Sequence, residues 1–274
     1  MYQWLVEDRE PVMTLPVDPW YQSIFVRHSE RLYSSRPVAE KDLSELDKLC
    51  EEFRPFAGSR AKLVRNPLDD VFKGIVGSYG KVRNAPHYVA FIGDTNSPTV
   101  EEALGYMGEG IILEATALGL NTCWVAGFFR PERVMEEIDV SKDEVVMAVT
   151  PIGYAEEEHD RIESLRSGRE KPHRRHELES LIMESGLAPK DWMRTGLEAA
   201  RLAPSAANRQ PWRFRLGEDS VLIEHLRTKN YFRVPYRLDC GIAMLHFELG
   251  ALVAGASGNW TVLQSPSVAE YRIA

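Results

Sequence analysis

The chain has 274 residues, 44% of them hydrophobic, and a formal net charge of −8. That is globular composition, long enough for one large core or two modest ones. An acidic whole argues against a general nucleic-acid binder, while leaving room for a local basic pocket that holds one phosphate. The three cysteines, Cys50, Cys123 and Cys240, form no CxxC pair and suit a reducing cytosol better than a disulfide framework. Charges at Glu7, Asp8, Arg9 and Glu10 interrupt any signal-peptide apolar region. No run approaches the roughly 20 apolar residues of a membrane span. The expectation is a soluble cytoplasmic protein with neither a membrane nor a nucleic acid as partner.

In chain order, Pro11, Pro16 and Pro19 predict an extended arm over residues 1–20, followed by a short helix from Trp20 to Val26. Leu43, Leu46, Leu49, Cys50 and Phe53 fall at helical spacing and predict a helix from Glu40 to Phe53. "YVAFI", Tyr88 to Ile92, reads as a strand. Val100 to Leu120 reads as a long helix with Gly105 and Gly108 as close-packing positions. A short helix is expected from Pro131 to Ile138 and a buried strand from Glu144 to Tyr154. Glu156 to His176 is almost entirely charged and reads as a solvated linker. Helices follow over 177–184 and 191–203, then a hairpin of Trp212–Leu216 with Val221–His225. A small-residue helix from Cys240 to Ala256 leads to strands at Trp260–Leu263 and Tyr271–Ile273. These breaks divide the chain into a first half (1–158), a charged connector (159–177) and a shorter second half (178–274).

One stretch echoes another. "GYMGEGIILEATALGLNTCW" (Gly105–Trp124) aligns without gaps on "GIAMLHFELGALVAGASGNW" (Gly241–Trp260), an offset of 241 − 105 = 136. Glycine and tryptophan match at both ends, which suggests an ancient duplication; small-residue helices can also match by chance.

Two stretches carry chemistry. In "RHSERLYSSRPV" (Arg27–Val38), Arg27 and Arg31 would share a face if the segment is helical. With Ser29 they make a clamp for a phosphate or a pyrimidine carbonyl, or else a solvated surface. In "ARLAPSAANRQPWRF" (Ala200–Phe214), Pro204 ends a helix and the chain turns on Ser205, Ala206 and Ala207. Asn208 and Gln210 carry amides that suit a planar heterocycle, or that merely satisfy backbone groups at a helix-to-strand turn. "GSYGKVRNAP" (Gly77–Pro86) is either a covering loop with Tyr79 and Lys81 as ligand contacts or an ordinary turn before a strand. His173 and His176 lack further ligands at zinc spacing, so no metal site is expected.

"APSAANRQPWRF" resembles the APS-x-x-N-x-QPW-x-F signature of the nitroreductase-like FMN flavoproteins, and "RHSERLYSSRPV" resembles their opening R-[RH]-S-x-R segment. "LEATALGLNTCWVAGF" (Leu113–Phe128) is similar to their central helix and the loop after it, and "VTPIGYAEE" (Val149–Glu157) to a later strand and turn. The resemblance implies an α+β fold, a central, mostly antiparallel sheet flanked by helices, with FMN at an interface between two subunits. It implies that Arg27, His28, Ser29 and Arg31 hold the phosphate, ribityl chain and pyrimidine edge, and that Pro204, Ser205, Ala206 and Asn208 cover the other side. Val125, Ala126 and Gly127 would run beside the flavin and offer backbone N–H groups. A basic residue near the connector would complete the phosphate site, with Arg174 and Arg175 ahead of Arg169 and Lys171.

This sequence departs from the usual motif order. Where the family places its Pro-Ser motif, shortly after the first arginine, the chain has "PFAGSRAKL" (Pro55–Leu63), and the motif itself comes in the second half. The arrangement resembles the branch in which one chain folds as a pseudo-dimer of two degenerate halves with one composite FMN site. A monomer could then hold the whole site. The implied activity is ping-pong hydride transfer from NADH or NADPH to a small electron-poor acceptor such as a nitroaromatic or a quinone, with no catalytic side chain. The alternative is an FMN-binding or partner-binding module with little or no turnover.

Overall fold

The computed structural model describes residues 14–68, 71–72, 82–156, 174–184, 186–227 and 234–273. Helix α1 spans Val17–Val26, earlier than the prolines suggested. Pro19 lies in its first turn, where a backbone N–H has no helical partner to lose. Helix α2 (Glu40–Glu52) buries Leu43, Leu46, Leu49 and Cys50. Strand β1 (Ser59–Arg65) stands where the sequence reading placed only a turn. Ser59, Ala61 and Leu63 are buried while Arg60 and Lys62 are partly exposed, the alternation of a half-buried edge strand. Strand β2 (His87–Asp94) is buried along nearly its whole length, and helix α3 (Val100–Ala117) follows it. The helix expected to reach Ile138 is a single turn, α4 (Pro131–Val134). Strand β3 (Glu144–Ile152) completes a three-stranded antiparallel sheet, order β1-β2-β3.

The second half repeats the scheme with shorter parts. A single turn, α5 (Leu178–Leu181), precedes helix α6 (Asp191–Arg201) and a short 3-10 turn at Ala206–Asn208. Strands β4 (Trp212–Leu216) and β5 (Ser220–His225) form the expected hairpin. Helix α7 (Tyr236–Val253) starts four residues before the small-residue run. Strands β6 (Gly258–Val262) and β7 (Ser267–Ile273) close an antiparallel sheet of order β4-β5-β7-β6. The fold is α+β, and the described strands form two antiparallel sheets, one in each half, with helices α3 and α7 packed between them.

Helices α3 and α7 cross at their glycines. A Cβ on Gly105 would stand 2.1 Å from the Leu238 carbonyl oxygen, and one on Gly241 would stand 2.1 Å from that of Glu102. The contact is reciprocal under the same offset that aligned the two sequences, as two-fold packing requires. The helix ends obey the offset too. Gly119 and Gly255 both take positive φ, and Leu120 N–H and Ala256 N–H reach back to the carbonyls of Ala115 and Ala251 in the same C-terminal cap. The halves thus form a pseudo-dimer within one chain. A single core joins them, with Phe91, Leu104 and Met107 on one side and Leu197, Phe214 and Phe247 on the other.

Candidate functional site

The segment that carries Arg27 is not helical. Arg27 caps α1, and the chain then runs on without regular structure, held by isolated bridges from Ser29 to Thr122, Leu32 to Arg83 and Tyr33 to Ala155. The shared helical face expected of Arg27 and Arg31 is therefore absent: Arg27, Glu30 and Tyr33 are buried, while His28, Ser29, Arg31 and Leu32 are partly exposed. Buried Glu30 fixes the turn of this segment by accepting the N–H groups of Arg31 and Leu32. His28 Nε2 lies 3.3 Å from the Asn121 amide. Ser29 pairs with the Cys123 thiol, whose pKa burial raises while Arg31, Ser29 and Arg27 oppose that shift.

Arg27 itself turns inward. It is nearly buried, and its Nε lies 3.8 Å from Glu109 Oε1 on α3. Glu109 is fully buried and accepts from Trp124 Nε1 at 2.7 Å. Its Oε1 also lies 2.9 Å from His246 Nε2 on α7, and His246 Nδ1 faces the Ala199 carbonyl of α6 at 3.1 Å. A polar chain therefore crosses the molecule from the Arg27 segment to the helix that leads into the Pro-Ser motif.

That motif forms a strained loop. Ala207, Asn208 and Gln210 all have positive φ, at 51°, 54° and 45°. Left-handed backbone costs roughly 1–2 kcal/mol per non-glycine residue and persists only where the surroundings over-determine it. Asp239 at the start of α7 accepts Ala206 N–H at 3.0 Å and Arg209 Nε at 2.6 Å. Burial pushes the Asp239 carboxyl up to about 6 against the pull of Arg209. Ser205 Oγ accepts Gln210 N–H, and the Arg209 guanidinium lies over the Tyr236 ring.

Asn208 and Gln210 spend their amides on the chain itself. Asn208 donates to the Arg174 carbonyl and accepts from Arg175 Nη1, while Gln210 accepts His176 N–H and donates to the Arg174 carbonyl. The end of the connector is thereby strapped to the loop, which carries Arg175 to the junction. Burial lowers the Arg175 guanidinium to about 10, and the charges of Arg27 and Arg201 add to that effect. Arg174 reaches the loop through its carbonyl. Val125 does not offer its N–H to a ligand, because that group donates to the Val149 carbonyl in a strand bridge; Ala126 and Gly127 continue the loop as a bend. Tyr79 and Lys81, with Arg169 and Lys171, lie outside the described residues.

The donor set fits an acceptor-rich anion such as FMN. The buried Nε atoms of Arg27 and Arg175 and the Thr122 hydroxyl have no hydrogen-bond partner among the described residues. Each such group is costly until something accepts from it. A cavity of about 160 Å³ is lined by Arg27, His28, Asn121 and Thr122 among other residues of the first half; Arg175 and the Pro-Ser loop do not line it. A larger one, about 420 Å³, lies away from this junction on the outer face of the first half, between the Phe56–Arg60 loop and Glu144. Among the described residues no cluster of side chains could hold a metal ion, and no helix is long and apolar enough to cross a membrane.

Glu109 and His246 were not singled out from sequence, and Trp124 only as the echo of Trp260. The available signal was a carboxylate inside "GYMGEGIIL" and an imidazole inside "AMLHFEL", ionisable groups within apolar stretches of their helices.

An α+β pseudo-dimer with a cationic junction between its halves defines the class, and the sequence defines the family. Residues 20–251 match the family described as "Putative TM nitroreductase", and the chain belongs to it. The fold is similar to that of the "putative nitroreductase" from Thermotoga maritima MSB8, at 20% identity and a TM-score of 0.60, with 99% of each chain covered. A nitroreductase family protein from Streptococcus pneumoniae TIGR4 aligns at 15% identity and a TM-score of 0.47, covering 60% of this chain and 98% of its own. An FMN-dependent nitroreductase from Clostridium difficile R20291 aligns at 21% identity and a TM-score of 0.41, covering 49% and 86%. No curated protein matches the chain.

Proposed function

We propose that the chain is an FMN-dependent oxidoreductase that takes electrons from NADH or NADPH and passes them to a small electron-poor acceptor, such as a nitroaromatic or a quinone. The observation that supports this reading is the junction. Arg27 of the first half is nearly buried, and Arg175, held on Asn208 of the second, is partly buried and feels its charge; each keeps a buried Nε without a partner among the described residues. In this reading Arg27, Ser29 and Arg31 with His28 line one side of the cofactor. Pro204, Ser205, Ala206 and Asn208 line the other, Ala126 and Gly127 run beside the ring, and Arg175 with Arg174 completes the phosphate site. FMN, when bound, supplies the ring that accepts and returns a hydride.

The chain's own part is positioning and electrostatics. The two guanidiniums stabilise negative charge on the cofactor, and the nearly buried Arg27 acts more strongly than it would in solution. The strained loop is already fixed by Asp239 and Arg209, so little ordering remains to be done on binding. We further propose that the halves arose by duplication, that residues 159–177 connect them, and that one composite site per chain survives.

The test is optical. Purified protein should be yellow, and NADH or NADPH should bleach it without oxygen. A yellow protein that neither nucleotide bleaches would instead support a flavin-binding module. A colourless protein that cannot take up FMN sinks both.

A further inference from the structure

Glu109 and His246 lie at the junction, fully buried, one from each central helix. The Ala199 carbonyl can only accept, so His246 Nδ1, 3.1 Å away, carries a proton. His246 Nε2 lies 2.9 Å from Glu109 Oε1. A neutral ring with its proton on Nδ1 presents a lone pair at Nε2, and a carboxylate presents another. Two lone pairs at that separation repel, so a second proton occupies the line between them. Trp124 Nε1 donates to Oε2, and the Arg27 guanidinium stands beside Oε1. Both favour the ionised carboxylate and leave the second proton on the imidazole. Around them stand Arg175 with Arg201 behind it and, on the Arg27 segment, Arg31 and the fully buried Glu30, whose opposite charges offset each other in the count.

The charge count then changes. With a neutral imidazole, Glu109 would cancel Arg27. With an imidazolium, Arg27, Glu109 and His246 together carry one net positive charge in a buried place, which an external anion must balance. We propose that His246, supplied by the second half, neutralises Glu109 and so keeps the charge of Arg27 available to an anionic group of the cofactor. His246 touches Glu109 and not the ligand, so it is a positioning residue. This inference rests on the reading of the junction as an FMN site.

Two measurements separate the charge assignment from that reading. In nitrogen-15 spectra of histidine-labelled protein without added flavin, at neutral pH, both His246 ring nitrogens should show N–H shifts. A lone-pair shift at Nε2 overturns the proposal. In FMN titrations, His246→Gln should weaken binding by about tenfold, because Glu109 then cancels Arg27. Adding Glu109→Gln should restore most of that loss. If His246 served packing alone, the double variant would bind no better than His246→Gln, and that result also overturns the proposal. If both ring nitrogens are protonated but wild-type protein takes up no FMN, the flavin reading falls and the charge assignment stands.

Discussion

Two hydrogen-bonded clusters join α3 to α7, and they are built alike and filled differently. In the junction cluster, the tryptophan after α3, Trp124, donates to Glu109, which also meets His246 of α7. In the second cluster, about one helical turn away along α3, the tryptophan after α7, Trp260, donates to Glu248, which also meets the Tyr106 hydroxyl of α3. Each cluster thus ties the segment after one helix to both helices through one carboxylate, fully buried in Glu109 and partly exposed in Glu248. The junction cluster then adds guanidiniums with unmet N–H groups. The second adds aromatic rings: Phe56 stands edge-on to Tyr106, and Tyr271 packs on Trp260. Where the second half has the strained Pro204–Gln210 loop, the first has Pro55–Gly58 running directly into β1. A shared scaffold therefore carries one charged cluster and one aromatic cluster, and the difference lies both in side chains and in the loop that precedes each sheet.

Breaking the scaffold should have the largest effect, and on both clusters together. Gly241→Leu drives a side chain into the Glu102 carbonyl, with backbone on both sides of the contact. Thermal denaturation should show a loss above about 3 kcal/mol or no folded protein. A melting temperature within a few degrees of wild type would mean that the crossing is looser than the glycines require. Next come substitutions that distinguish the clusters. Arg27→Met should weaken FMN binding about tenfold or more, by flavin fluorescence titration, with little change in melting. Glu248→Gln should do the reverse, costing about 1–2 kcal/mol of stability through Tyr106 and Trp260 while leaving FMN affinity unchanged.

A smaller effect is expected from Ser205→Ala. It removes the acceptor for Gln210 N–H and relaxes the loop, for a few-fold loss of FMN affinity worth about 1 kcal/mol. The smallest lies outside both clusters. The Arg60 guanidinium beside Glu144 holds that carboxyl down at about 2. A folded pKa below the unfolded value gives stability that is present above the unfolded value, near 4.5, and lost as pH falls through about 2. The pair is partly exposed, so solvent screens it. Glu144→Gln should flatten the acid limb of the stability profile by less than about 1 kcal/mol.

Much of this comparison was legible in the sequence. The Gly105 and Gly241 echo, read in the sequence as a duplication, falls at the helix crossing, where only a position without a Cβ allows two backbones so close. Hydrophobic periodicity found α2, α3, α6 and the β4–β5 hairpin, since those segments bury one face or all faces. Strand β1 escaped because its outward side is basic and it follows a turn-like Pro55–Gly58. The irregular course of Arg27–Tyr33 escaped because it is set by single bridges to distant residues and by the Glu30 side chain. Asn208 and Gln210 were legible as special amides, but their partner, the 174–176 strap, is brought in by the tertiary fold. Nothing in local spacing tells Glu109 that His246 faces it.

The most direct test of a single composite site is the number of flavins that one chain holds. FMN titrated into purified apoprotein, followed by fluorescence quenching, should saturate at one per chain. That binding should weaken on changing Arg27 in the first half and equally on changing Arg175 in the second. Saturation at two per chain, or full affinity after both residues are changed, would contradict the account.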